Sequence, residues 1–475
     1  MTDLVIRTLE GSTKTISDSV LATLRGKLRE AAVLPGEAGY DAARTIWNAM
    51  IDRRPGLVVR CLGAADVIRA VELASAEGLM LSVRGGGHNI AGNAVCDGGL
   101  LIDLSLMKSV QVDPQSRTAR VEPGALLADF DKEAQAFGLA TPLGINSTTG
   151  VAGLALGGGF GWTTRKFGLT VDNLTAVHIV TAAGELVRAS ASEHPDLFWA
   201  VRGGGGNFGI VTSFEFKLHA LGPEVLSGLI VHPFADAAAL LPQFRRIVAD
   251  APDELTVWAV MRQAPPLPFI PTEWHGKDVL IFAACYSGDM KDGEKAVKPL
   301  RALGKPIVDV IGPHPFTGWQ AAFDPLLTPG ARNYWKSHDF ADLSDGAIKA
   351  IVDAASRLPG PECEVFIAHV GGAMGRVAPD AMAWSNREAH FIMNAHTRWR
   401  DPAQDARCIA WARQLFDATA PFATGSVYVN FMPEDEPGRV EKAYGKNYRR
   451  LAEIKRRYDP ENLFRMNQNI RPTAR

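Results

Sequence analysis

Glycine is the residue that most constrains this chain. Three clusters stand out among its 46 glycines: RGGGHN at 84–89, GLALGGGFG at 153–161 and GGGGNFG at 203–209. Lacking Cβ, glycine reaches positive φ without strain and lets backbone N–H groups gather around an anion. An ordinary tight turn accounts for any one of these loops. Three in one region point instead to a shared task, the holding of an extended ligand that carries several oxyanions.

The third cluster contains Gly204, Gly206 and Gly209 at the spacing GxGxxG. A dinucleotide fingerprint follows a strand and opens a helix, so that the helix N-terminus meets the pyrophosphate. Here residues 195–202 read as a helix and 210–218 as an alternating strand. The order is reversed, which argues against a nicotinamide-dinucleotide dehydrogenase. No Gly-Lys-Ser/Thr follows any cluster, so a Walker A loop is also absent. His88 is the other singular feature. Beside three glycines it is either a hydrogen-bonded loop residue or, as a neutral imidazole, an accessible nucleophile.

Around these loops the pattern alternates strands and helices. Residues 64–77 carry Val67, Ile68, Val71 and Ala74 at helical spacing, and Gly78 is a natural stop. Residues 79–83 read as a strand running into the first glycine loop. Further strands fall at 100–104 and 119–121, a helix at 125–137, and a hairpin at 177–188. Along 210–218, Thr212, Phe214, Phe216 and Leu218 share one side, and Glu215 and Lys217 the other. From residue 222 the texture changes. Pro-rich stretches at 264–271 and 312–316 separate strand-like segments from helices such as 345–357, which suggests a second α+β domain ending near 435. In the last segment Val440, Tyr444, Leu451, Ile454 and Tyr458 share a helical face, and Asp459-Pro460 ends the helix. Arg449, Arg450, Lys455, Arg456 and Arg457 read as its solvated face.

Composition narrows the partners. A chain of 475 residues is long enough for two or three domains, at roughly 150 residues each. With 50 Lys+Arg against 52 Asp+Glu there is no bulk field to grip nucleic acid or an anionic membrane. No apolar run is long enough to span a bilayer, and no secretory signal opens the chain. Cys61, Cys96, Cys285, Cys363 and Cys408 lie far apart, without metal-site or disulfide spacing. A soluble, cytoplasmic protein with reduced thiols and no metal site is expected.

Residues 83–89 (VRGGGHN), 148–174 (TTGVAGLALGGGFGWTTRKFGLTVDNL) and 197–218 (LFWAVRGGGGNFGIVTSFEFKL) resemble the FAD-linked oxidases of the vanillyl-alcohol oxidase superfamily. The tail at 444–472, YGKNYRRLAEIKRRYDPENLFRMNQNIRP, resembles the berberine-bridge-enzyme subgroup. The resemblance implies an α+β, two-domain PCMH-type FAD-binding fold. Residues 1–221 would form the FAD-binding domain, with a core at about 38–220. Residues 222–435 would form a substrate domain on an antiparallel sheet, and 436–475 would return to the FAD domain. It implies that Arg84, Gly85, Gly86, Gly87 and Asn89 form the pyrophosphate loop and that His88 bonds covalently to FAD. Thr148, Thr149, Gly150, Gly153, Gly206, Ile210, Val211, Asn467 and Asn469 match the remaining FAD contacts. The implied chemistry is hydride transfer from a C–H beside oxygen or nitrogen of a small molecule to flavin N5, with reoxidation by O₂ or another acceptor. A carbohydrate oxidase of the same fold, and a flavin-carrying protein without turnover, are the alternatives.

Two positions depart from the family pattern. Bicovalent members carry a cysteine where this chain has Ala152, so a single histidyl link is expected and no 6-S-cysteinyl bond. Many relatives end Tyr-x-Asn-Tyr with a tyrosine that helps take the substrate proton; here 428–431 reads YVNF, ending in Phe431. Tyr428 remains, though strand alternation would put it on the face opposite residue 431. Other candidate bases are Tyr334 and His338, within YWKSHDF at 334–340, where Trp335 and Lys336 are candidate substrate contacts and Asp339 is a further charge. His369, His390 and His396 are less well placed. Trp274, Trp319, Trp335, Trp384 and Trp399 would serve either a sugar-stacking groove or a core.

Overall fold

The computed structural model describes residues 4–474. It is an α+β molecule built on three principal sheets. The first is small and mostly parallel, with Leu57–Arg60 and Leu81–Arg84 flanking Leu100–Asp103, and Ala32–Val33 antiparallel on one edge. Parallel strands are covered on both faces and so carry apolar residues in runs rather than in alternation. Val59, Leu100 and Ile102 pack under one face, Val58 and Leu101 under the other. The helix Ala64–Glu77 covers the first face with Val67, Ala70, Val71 and Ala74. Each buried valine contributes about 1.5–3 kcal/mol. Gly78, at φ 63°, ends the helix with its N–H turned back on the Ala74 and Ser75 carbonyls.

The second sheet is antiparallel, in the order Leu186–Ser190, Leu174–Val180, Ile210–Lys217, Thr118–Val121, Val110–Asp113. Ile210–Lys217 is central and covered on both sides, with Val211, Phe214 and Phe216 in one core and Ile210 in another. The two-faced pattern expected for 210–218 therefore holds only at its C-terminal end, where Lys217 is exposed and Glu215 half-buried. The helix Pro195–Val201 precedes this strand, with the third glycine loop between them.

The third sheet spans Glu224–Pro233 to Phe391–Trp399, and its eight strands pair antiparallel. Period-two alternation splits it. Val257, Ala259, Met261, Val365, Ile367, Met393 and Ala395 pack beneath the helices Ala237–Ala249, Met290–Arg301, Asp345–Ala355 and Asp405–Thr419. Their neighbours Trp258, Phe366 and Ile392 face the other way, toward Phe160, Trp162 and Tyr428 of the glycine-rich half.

The tail returns to that half. Val440–Tyr444 and Tyr448–Tyr458 are separate helices, and Leu451, Ala452, Ile454 and Ile470 join the core that holds Trp199 and Phe208. One charge in this tail corrects the solvated-face expectation. Lys455 is fully buried, and its Nζ donates to the carbonyls of Asn207 (2.6 Å) and Phe464 (3.1 Å) and to Asp459 Oδ2 (2.6 Å). Burial holds its ammonium below the usual lysine range, at about 8, against the pull of Asp459. Among the described residues no helix is long and apolar enough to cross a membrane.

Candidate active site

A cavity of about 860 Å³ opens between the glycine-rich half and the uncovered face of the third sheet. This lies near the top of the ~300–1,000 Å³ usual for small-molecule sites. All three glycine clusters reach it, through Gly85 to Asn89, through Gly153 and Gly157, and through Gly205, Gly206 and Gly209, and the tail adds Asn467 and Gln468. The first and second glycine regions cross backbone to backbone. A Cβ on Gly86 would stand 2.4 Å from the Gly150 nitrogen, and one on Gly150 would stand 2.4 Å from the Gly86 nitrogen. The turn requires Gly87 at φ 71°. The amides of Gly86, Gly87, His88 and Asn89 donate to no acceptor among the described residues. A cleft with free amides at a glycine turn and apolar walls beyond fits a flavin dinucleotide.

His88 lines this cleft. Its Nε2 lies 3.1 Å from Thr148 Oγ1, and its ring stacks on Trp47 at 5.0 Å. The Thr148 hydroxyl gives its own proton to Asn146 Oδ1 at 2.7 Å, an oxygen that also accepts the Thr148 backbone N–H. Thr148 Oγ1 can then only accept from His88, which places the imidazole proton on Nε2 and the lone pair on Nδ1. Burial lowers the imidazolium pKa to about 4, so the ring is neutral at ordinary pH.

The expected cofactor contacts divide by position. Gly85, Gly86, Gly87, His88, Asn89, Thr149, Gly150, Gly153, Gly206, Ile210, Val211 and Asn467 line the cavity. Arg84, Thr148 and Asn469 stand outside the lining. Arg84 at the end of its strand meets its register partner Asp103 through two hydrogen bonds, at 3.0 and 2.8 Å, so it braces the loop rather than facing the cleft. Asn469 Oδ1 is buried without a partner among the described residues. Ala152 lines the cavity, and none of the five cysteines does.

The candidates of the third sheet separate by strand alternation. On Arg332–Phe340, Trp335 lines the cavity, whereas Tyr334, Lys336 and His338 point to the helix-covered side. Tyr334 donates to Asp435 (2.8 Å) and accepts from Arg413 (3.1 Å). Lys336 is buried against Glu436 at 2.6 Å. His338 bonds the Phe416 carbonyl at 3.0 Å and stacks on that ring. These three side chains are therefore corrected from site candidates to braces between sheet, helix and tail. Asp339 is buried on the path to Ser426 (3.0 Å), also away from the lining. Of the five tryptophans, Trp319 and Trp335 line the cavity; Trp274, Trp384 and Trp399 do not.

Tyr428 does reach the cavity, and the face expected for it is corrected. Val429–Phe431 is a 3₁₀ turn, not a strand, so the Tyr428 and Phe431 rings meet edge to face at 4.9 Å and both line the site. The Tyr428 oxygen accepts from Gly159 N–H (3.1 Å) and Asn430 Nδ2 (2.8 Å). Burial outweighs both bonds and pushes the phenol up to about 12. At neutral pH it is a proton donor, not a base.

Sequence reasoning named His396 only as one of three less well placed histidines and missed the rest of the polar row beside it, Arg262, Glu364 and Asn394. Strand register sets Arg262 opposite Glu364, Glu364 opposite His396, and His396 opposite Trp335. Arg262 NH1 binds Glu364 Oε2 at 2.8 Å, and His396 Nδ1 lies 2.9 Å from Glu364 Oε1. Burial alone would raise the Glu364 carboxyl, but Arg262 and His396 outweigh it and hold it at about 2. One rung along, Asn394 lines the cavity with neither amide atom partnered among the described residues. The available signal was a Glu, an Asn and a His inside otherwise apolar strands, which burial makes costly without a purpose.

A cleft of this shape between a glycine-rich α+β domain and an antiparallel sheet defines a flavoprotein oxidoreductase of the PCMH-type fold. Residues 55–190 match the family model for an FAD binding domain, and residues 427–471 match the one described as berberine and berberine like. The (R)-6-hydroxynicotine oxidase of Paenarthrobacter nicotinovorans is 32% identical over 93% of this chain and 96% of its own. The crystal structure of 6-hydroxy-D-nicotine oxidase from Arthrobacter nicotinovorans superposes with a TM-score of 0.85 at 30% identity, over 94% of this chain and 98% of that one. Physcomitrella patens BBE-like 1 does so with a TM-score of 0.86 at 25% identity, over 96% and 100%. The chain belongs to the berberine-bridge-like family of FAD-linked oxidoreductases.

Proposed function

We propose that this oxidoreductase is an oxidase that carries FAD covalently on His88 and oxidises a small, flat, largely apolar molecule at a C–H beside oxygen or nitrogen. The observation that carries the reading is the state of His88: neutral, facing the cleft, with its lone pair on Nδ1 as a nucleophile requires. Bound flavin supplies a two-electron acceptor for hydride and passes the electrons to O₂. Thr148 and Asn146 hold the imidazole tautomer, Trp47 holds its plane, and the amides of the first glycine loop take the diphosphate charge. Ala152 and the absence of any cysteine from the cavity wall support a single covalent link. Five buried free thiols suit a cytoplasmic location. Residues 1–221 hold the cofactor, 222–435 the substrate, and 436–475 close the cofactor domain.

The substrate side favours a compact aromatic molecule. Phe160, Trp162, Trp258, Trp335, Phe366 and Phe431 surround it, and the polar side chains of the sheet wall are Arg262, His314, Glu364, Asn394 and His396. That is little polar surface for the many hydroxyls of an oligosaccharide. The similarity to a nicotine-derivative oxidase points the same way.

Acid precipitation tests the link. The purified protein leaves a yellow pellet and a mass raised by one flavin, whereas His88→Ala releases its colour to the supernatant. Colour retained in the pellet of that variant would overturn the assignment. Anaerobic loss of visible absorbance with aromatic alcohols and amines, and H₂O₂ release in air, test the turnover.

A further inference from the structure

We propose that His396, with its Nδ1 held by Glu364, is the base that accepts the substrate's hydroxyl proton on Nε2, and that the substrate is an aromatic alcohol. This deepens the reading above and rests on it. Glu364 is paired with Arg262 and takes the His396 Nδ1–H at 2.9 Å, so the lone pair of the uncharged ring falls on Nε2. That nitrogen is buried and unpartnered among the described residues, on a side chain that lines the cavity. A buried acceptor without a donor costs about 1–3 kcal/mol, a cost that a substrate O–H removes. Asn394, on the same strand and also unpartnered, offers the same hydroxyl oxygen a donor.

The row is built for orientation. Glu364 fixes the ring and stabilises the imidazolium that forms, as the aspartate does behind the histidine of a Ser-His-Asp triad. Arg262 keeps Glu364 ionised from the far side. Trp335 meets His396 edge to face at 4.8 Å, Phe431 at 5.5 Å and Trp47 at 5.8 Å, which links this wall to His88 through Trp47. Phe431 has no hydroxyl and Tyr428 is a donor, so neither competes for the proton. Arg262 and Glu364 are the charged side chains among the described lining residues, and they neutralise each other. No carboxylate is left for an ammonium group, so the site takes a neutral molecule.

The balance is that of an alcohol dehydrogenation. The O–H proton goes to His396 Nε2, the carbinol hydrogen leaves with its bonding pair as the hydride that oxidised flavin would accept, and the alcohol becomes a carbonyl. The charged groups around the imidazole are Glu364, bonded to its Nδ1, Arg262 behind that carboxylate, and Arg398 two residues along its own strand.

The test uses the flavin-loaded protein and two ligands that cannot donate hydride, 2-naphthol and its methyl ether 2-methoxynaphthalene, with binding followed by calorimetry. Wild type should prefer the naphthol about tenfold, the worth of one buried hydrogen bond near 1.4 kcal/mol, and should lose that preference as falling pH protonates the imidazole. His396→Phe should bind both equally while its acid pellet stays yellow. Glu364→Gln should move the pH at which the preference is lost downward, since imidazolium then lacks its counter-ion; a merely structural role for Glu364 would leave that midpoint in place. Equal binding by wild type, an undiminished preference in His396→Phe or an unmoved midpoint in Glu364→Gln would each overturn the proposal. A colourless wild-type pellet would count against the covalent link alone, because the naphthol comparison is read separately.

Discussion

The imidazole of His88 has two neutral tautomers, and the Thr148 hydroxyl, hydrogen-bonded to Asn146, selects between them. Thr148→Val keeps the shape and removes the acceptor. FAD should still bind, but acid-stable colour should accumulate about 5–10-fold more slowly in apoprotein supplied with FAD, since a net hydrogen bond is worth about 1–1.5 kcal/mol. Glu364 makes a second prediction at this scale. Its folded pKa, about 2, lies below the ~4.3 of an unfolded glutamate. A depressed carboxylate contributes stability that is fully present above the unfolded value and lost as pH falls through the folded one. Glu364→Gln should therefore show a shallower loss of melting temperature between about pH 4.5 and 2 than wild type, measured by thermal scans across that range. His88 could be singled out from the chain because glycines flank it. His396 could not, because a histidine in an apolar strand looks alike whether it faces solvent, core or cleft.

Among elements, the glycine loops are the most exacting. Gly86 and Gly150 approach so closely that either Cβ would meet backbone, which cannot yield as a flexible side chain can. Gly86→Ala should push the two loops apart, lower stability by about 1–3 kcal/mol and leave the protein substoichiometric in flavin, as read by calorimetry and by the visible-to-ultraviolet absorbance ratio. The helix at 64–77 and the strands leading into the first loop were legible, because apolar periodicity and a glycine stop act locally. The turn at Val429–Phe431 was not. Tyr-Val-Asn-Phe has strand-like composition, but in the fold both rings pack against Phe160 and the Phe431 N–H turns back on the Tyr428 carbonyl. The strand Arg332–Phe340 shows a third case. Its alternation was readable, but which alternate set met the cavity depended on the helix Asp405–Thr419 covering the other face.

For the whole molecule, the tail joins what the sequence separates. Lys455 links the third glycine loop, through the Asn207 carbonyl, to the turn at Asp459 and Phe464. Lys455→Met leaves Asp459 buried without its cation. It should cost about 3–5 kcal/mol, seen as a lower denaturant midpoint together with weakened flavin retention. Replacing both partners, Lys455→Met with Asp459→Leu, should recover part of that loss, because the orphaned charge is then gone. By itself the sequence determined the local features: the glycine turns, the order helix, loop, strand that excludes a nicotinamide fold, and the histidine set among glycines. Only the tertiary structure decided which polar residues converge on the cleft. Arg262 lies on a strand remote in the chain from the two consecutive strands of Glu364 and His396, and their meeting depends on register and on which sheet face is covered. Local periodicity carries neither, since a strand presents the same alternation whichever way it is turned.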